Sequence, residues 1–167
     1  MQKTSIKSLL ILVLVILALS PLAAADEYKI DYYDFRWEVD WAGKVGLFVQ
    51  KTHEGVWAML SSPGGRLGSV RLTPAQAKSV GDTLLEAEKY HAQFKEKAME
   101  STQTVPAGDA FVTFSAKRKG VDFYVLAHPE KMIKNSARFT KEEALEMGKL
   151  LQDIEARAAY ADKRINP

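Results

Sequence analysis

Cysteine is absent from the chain. That excludes disulfides, thiolate metal sites and a thiol nucleophile, and it leaves stability to a packed core. Histidine is scarce. His53, His91 and His128 stand in a turn, on a helix and in a loop, and none has a second ligand at a recognised metal spacing. No metal and no cofactor is expected. A nucleophile motif is missing too, and so is a phosphate-cradling glycine loop, because Pro63–Gly68 reads as a turn between strands and not as a lead into a helix. The expectation is a protein that is not an enzyme. Two of its carboxylates meeting in space would be the remaining route to catalysis.

Long apolar runs are missing except at the start. Lys3 and Lys7 precede the run Leu9–Leu19, Ser20 and Pro21 break it, and Ala23-Ala24-Ala25 supplies small residues for a cleavage site. This is the layout of a signal peptide over 1–25, and it predicts an exported chain, periplasmic or secreted, beginning at Asp26. The run is shorter than the ~20 residues of a spanning helix, so no stable membrane span is expected after cleavage; an uncleaved anchor is the other reading. Without cysteine after the run, a bacterial lipoprotein anchor is excluded.

Excess charge is lacking as well. The leader holds two lysines and no acid, so the 23 basic residues of the whole chain become 21, against 21 acidic ones. Nucleic-acid binders carry a basic footprint, and no global one remains. Residues 26–104 hold ten basic and twelve acidic residues, and residues 105–167 hold eleven and nine, a weak dipole between halves.

What is present is a repeat. Residues 70–88 align with 137–155 at an offset of 67, with Arg71/Arg138, Thr73/Thr140, Ala77/Ala144, Gly81/Gly148, Leu84/Leu151 and Glu88/Glu155 identical. Upstream, at an offset of 65, Ala42-Gly43 matches Ala107-Gly108 and Gly55-Val56 matches Gly120-Val121. The change of offset places a two-residue difference in the loop after the third strand.

Each copy reads as strands followed by a helix. Residues 30–41 alternate strictly, with Tyr33, Phe35, Trp37, Val39 and Trp41 on one side and Asp34, Arg36, Glu38 and Asp40 on the other. Strands follow at 44–52 (Val45, Leu47 and Val49 inward), 56–61 and 66–72. The second copy gives strands near 101–106, 109–117, 121–127 and 135–139, with a turn at Arg118-Lys119-Gly120. Thr73 with Gln76, and Thr140 with Glu143, are capping boxes, and Pro74 suits a first helical position. The apolar stripes Ala77, Val80, Leu84, Ala87, His91, Phe94 and Ala144, Met147, Leu151, Ile154, Ala158, Ala161 share one spacing, so each helix buries one face. Gly81 and Gly148 interrupt these helices, where glycine costs roughly 1 kcal/mol relative to alanine. The repetition of that cost predicts a close approach of the backbone to the sheet or to the other helix.

The fold class is therefore α+β: two ββββα repeats, antiparallel four-stranded sheets each with a helix on one face, packed as a pseudo-symmetric pair, like a dimer fused into one chain. The boundaries read 1–25 for the leader, 26–100 for repeat 1 and 101–167 for repeat 2.

This order of elements resembles the whirly-like group: the plant Whirly proteins, the PUR-repeat proteins and the positive-cofactor type of single-stranded DNA-binding coactivator. Residues 47–60, a variable loop and then 70–77 are similar to a PUR repeat, and 112–126 with 137–140 fit more loosely. The likeness covers about 30–160. It implies single-stranded nucleic-acid binding on the sheet face away from the helices and along the loops, which would fall on Gln50, Lys51 and His53 in repeat 1 and on Lys117, Arg118 and Lys119 in repeat 2. The export signal and the neutral mature charge weigh against that carry-over, and fold does not settle function.

On alternation, Tyr33, Phe35, Trp37 and Trp41 are a wall of the core. The out-of-phase residues Phe48, Trp57, Met59, Phe111 and Tyr124 would lie on the opposite face, flanked by Gln50, Lys51, Lys117 and Arg118. There they hold bases by stacking, form a protein-interaction patch, or are covered by the other repeat's sheet. The Lys117-Arg118-Lys119 tip is the densest positive cluster, either a solvated hairpin or a grip for phosphate or an acidic polymer. The expectation is an exported binding module whose partner is a protein or polymer, with single-stranded nucleic acid as the alternative and self-association open.

Overall fold

A computed structural model describes residues 32–61, 69–130 and 135–164. The leader reading, the first residues of the first strand and the Pro63–Gly68 turn lie outside the described residues.

Alternation and turn chemistry build two sheets. In the first, β1 (Asp34–Ala42), β2 (Val45–Thr52), β3 (Gly55–Ser61) and β4 (Ser69–Leu72) pair antiparallel in sequence order. Helices α1 (Pro74–Leu84) and α2 (Ala87–Lys95) follow. The second copy repeats the plan with β5 (Ser101–Ala107), β6 (Ala110–Ala116), β7 (Tyr124–His128) and β8 (Ala137–Phe139), then α3 (Lys141–Leu150) and α4 (Ile154–Arg164). Two ββββα repeats with four-stranded antiparallel sheets are thus present.

Both helix starts carry complete capping boxes, in which the Thr73 and Thr140 hydroxyls accept from the Gln76 and Glu143 amides at 3.2 Å and those side chains accept in return. Both stripes face inward: every residue of them is buried except half-buried His91. Each helix bends at the equivalent place, at Leu85-Glu86 between α1 and α2 and through a single 3-10 turn, Leu151–Asp153, between α3 and α4.

The repeats exchange partners. Helix α1 lies against β5 and β6 of the other repeat more than against its own sheet, while α3 rests on β1 and β2, and α4 on β2 and β3. One continuous core results, with Leu47, Leu60 and Leu72 from the first sheet, Val112, Phe114 and Phe139 from the second, and the helical stripes between them. The turn after β1 docks on the start of α3: the Lys44 amide donates to the Glu143 carboxylate at 3.2 Å, and Gly43, at φ +57°, leaves no room for a side chain beside Glu143. Where α1 crosses α3, Gly81 and Gly148 face each other. A methyl at Gly148 would sit 3.0 Å from the Gly81 carbonyl oxygen, and one at Gly81 would sit 2.7 Å from Leu151 Cβ. The close approach expected from the sequence is to the other helix.

Three expectations are corrected. The first concerns β1. Glu38 pairs with Phe48 and Asp40 with Leu47, so Val39 is an extra residue in a bulge. Beyond it the alternation inverts, and Trp41 turns to the outer face, where its ring meets Phe48 edge-on at 5.8 Å and its indole N–H donates to Glu38 at 2.8 Å. The wall is further thinned because α4 packs on β2 and β3 and leaves β1 overhanging: Trp37 and Val39 are half-buried and Phe35 is 41% exposed. Second, the two-residue difference sits before the third strand. Leu47 pairs with Leu60 and Val112 with Ala127, whereas the β3–β4 and β7–β8 pairings keep one spacing, so the extra residues belong to the β6–β7 tip. Third, that tip is a 3-10 turn at Arg118–Gly120 followed by irregular chain, and β7 begins at Tyr124, not at Val121. The Gly55-Val56/Gly120-Val121 match is coincidental.

Candidate functional site

The outer face of the first sheet is built from the positions out of phase with Val45, Leu47 and Val49. Register places Phe48 beside Met59, Gln50 beside Trp57, and Met59 beside Arg71. Arg71 organises this face. Its guanidinium lies 4.7 Å from the centre of the Trp57 ring and donates to Gln50 at 3.1 Å and to Glu54 and Thr52 at 3.3 Å. The Gln50 amide donates in turn to Asp34 at 2.8 Å, and Arg36 donates to the same carboxylate at 2.9 Å. Gln50 is buried because partners on both sides enclose it. The donated bonds from Arg36 and Gln50 hold the Asp34 carboxyl below its ordinary range. These groups ring a concave basin of about 330 Å³, with Tyr32 and His53 at its rim, their rings 5.6 Å apart. The Trp57 indole nitrogen is buried and finds no acceptor among the described residues.

The second sheet repeats the central device. Arg138 covers the Tyr124 ring at 4.2 Å, and Trp57/Tyr124 and Arg71/Arg138 both stand 67 residues apart. Phe111, half-buried, stacks on His128 at 5.9 Å. His128 is wholly buried. Its Nδ1 donates to the Glu130 carbonyl, which only accepts, while Nε2 shares a hydrogen bond with the Thr113 hydroxyl at 2.9 Å, and the Thr113 and Thr104 hydroxyls share one at 2.8 Å. This chain of bonds makes His128 a structural residue of the face.

The sequence-derived site residues fall into four places. Phe48, Gln50 and Trp57 share the first outer face; Phe111 and Tyr124 share the second. Lys51 belongs to neither, which corrects its placement as a flank of the aromatic face. It is in phase with Val49, points to the helix side, is 8% exposed, and its ammonium bonds both the carboxylate and the backbone carbonyl of Asp162 at 3.0 Å. Lys117, Arg118 and Lys119 are exposed at the tip, but Lys117 is paired with Asp122 at 2.6 Å. The tip rests on the end of α2: the Lys119 amide donates to the Lys97 carbonyl at 2.8 Å, and Gly120 abuts Lys95. Lys95 and Lys97 thereby join the basic cluster. Arg71, Arg36 and Asp34 join these residues in the structure without having been expected as site residues; the identity of Arg71 and Arg138 in the repeat is the sequence signal for the first. His91 is half-buried against Phe123 at 5.0 Å, and burial, then Lys95 and Lys141, depress its pKa.

Among the described residues, no group of three or more acidic or histidine side chains is placed to hold a metal, and no helix is long and apolar enough to cross a membrane. The chain matches no protein-family model, no curated protein and no solved structure.

Proposed function

We propose that the chain is an exported, non-enzymatic binding module that takes a protein or polymer partner on the outer faces of its sheets. The observation that carries this is the duplicated guanidinium-over-ring pair, Arg71 on Trp57 and Arg138 on Tyr124. Trp, Tyr and Arg are the residues that dominate binding hot spots, and here the sheet presents them pre-ordered and half-desolvated. The basin lined by Gln50, Met59 and Arg71 adds a concave surface.

Single-stranded nucleic acid is the second reading. It is supported by the whirly-like order of elements and by the gathering of Lys95, Lys97, Arg118 and Lys119 at the β6–β7 tip. Two measurements separate the readings. A photoreactive residue in place of Ser69, at the basin, should yield more adducts in cells than one at exposed Lys149, and Arg71→Ala should suppress them. Equal yields at both positions would refute the outer-face reading. Anisotropy titration of the full chain against labelled single-stranded DNA and RNA at two salt concentrations tests the second: salt-sensitive binding lost in Arg118→Ala would establish it.

A further inference from the structure

The overhang of β1 creates a groove. Its floor is Trp37, Val39 and Val49, its other wall is the Arg157, Tyr160 and Ala161 side of α4, and it encloses about 380 Å³. Among the described residues, strand β1 is the outermost strand of its sheet, and one row of its backbone N–H and C=O groups has no strand partner there. The bulge at Val39 limits the regular part of that edge to Asp34–Glu38. The α4 side of the groove is basic. Among the described residues no carboxylate pairs with Arg157 or Arg164, and Arg164 lies over the Tyr160 ring at 4.9 Å. Glu38, the one acid at the groove, is engaged on the outer face by the Trp41 indole.

We propose that this groove docks an extended peptide segment of a protein partner, added as a fifth strand along Asp34–Glu38, with an acid-x-apolar-x-acid pattern on the side facing α4. The apolar residue meets the Trp37 floor, and the two acids meet Arg157 and Arg164. Seven helical residues separate these arginines by about 10 Å along α4. Side chains four apart on one face of a strand span about 13 Å, a difference that two arginine side chains absorb. Backbone pairing supplies affinity and the alternate pockets supply selectivity. This inference rests on the binding-module reading but uses a different surface, so each can fail alone.

The probe is a blocked, labelled heptapeptide with Glu at its second and sixth positions, Leu at the fourth and Thr elsewhere. Binding to the full chain is followed by anisotropy, and protection of the β1 amides by hydrogen exchange. The expected result is saturable binding with protection of Asp34–Glu38. It should weaken at least about tenfold when Lys replaces both Glu, when the second Glu is moved to the opposite face of the strand, or in Arg157→Glu/Arg164→Glu. Both arginines are exposed, so that variant should keep the fold. Lys149→Ala, at an exposed position of α3, should leave peptide binding unchanged. No binding at millimolar peptide, equal binding of the Lys peptide, or a chain that dimerises through β1 in sedimentation would each overturn the proposal.

Discussion

Replacing Gly81 by alanine sets two effects against each other at the α1–α3 crossing. Helix propensity alone favours the variant by about 1 kcal/mol. The crossing opposes it. The new methyl would stand 2.7 Å from Leu151 Cβ and 3.3 Å from the Gly148 carbonyl oxygen, where carbon atoms prefer about 3.5–4.0 Å. Neither neighbour is the free end of a side chain, so relief requires the helices to part by most of an ångström, loosening Val80, Leu84, Met147 and Leu151, all fully buried. Overpacking of a fitted core costs about 1–3 kcal/mol, and a backbone-anchored clash belongs in the upper half of that range. The net expectation is destabilisation by about 1–2 kcal/mol, a fall in melting temperature of roughly 3–8 °C for a unit of this size. Gly148→Ala should cost less, because its nearest contact, Leu85 Cδ2 at 2.9 Å, belongs to a partly exposed side chain that can swing away, leaving the Gly81 oxygen at 3.0 Å as the fixed obstacle. The double variant should lose less than the sum of the singles, since one separation relieves both. Urea denaturation followed by circular dichroism measures all three. A Gly81→Ala protein about 1 kcal/mol more stable than the parent would refute the packing account.

Two further outcomes test the placement of ionisable groups. Lys51→Met keeps the apolar stem but removes the ammonium that bonds Asp162, so exchange of the α4 amides should accelerate while those of α1 hold; unchanged α4 exchange would mean that the tether contributes nothing. The depressed pKa of His91 means that the unfolded chain takes up a proton at the ordinary value of 6.5 while the folded one resists it. Its contribution is therefore complete above that value and declines as pH falls through it toward the folded pKa. The groups facing His91 are Lys95 and Lys141, which oppose its protonation, and Glu88 and Glu142, which favour it. His91→Leu should flatten the stability profile between about pH 7.5 and 5, and parallel profiles for variant and parent would exclude the effect.

Much of the fold was legible because its signals are local. A capping box needs four consecutive residues, a buried helix face needs one period, and a duplicated pattern needs only the chain compared with itself. Thr73, Thr140 and both stripes are placed as read. The site was less legible. Phe48, Gln50 and Trp57 were found by alternation, which also assigns Lys51 to the inner face once Val49 is inward. Arg71 was noticed as a repeat identity, but its role over Trp57 depends on a pairing across three strands. The bulge at Val39 left no trace in a stretch whose apolar and charged residues alternate without interruption.

The sequence by itself determined the period of each element, the starts of the helices, the twofold repetition and the two glycines that need a close neighbour, because backbone geometry and capping are decided within a few residues. Only the tertiary structure decided which sheet each helix covers, that α4 leaves β1 uncovered beside Trp37 and Val39, and that Trp41 faces outward. Those depend on how surfaces distant in the chain share a limited buried volume. Helix α4 packs on β2 and β3 and not on the edge strand, so Trp37, expected in a wall of the core, lines a groove.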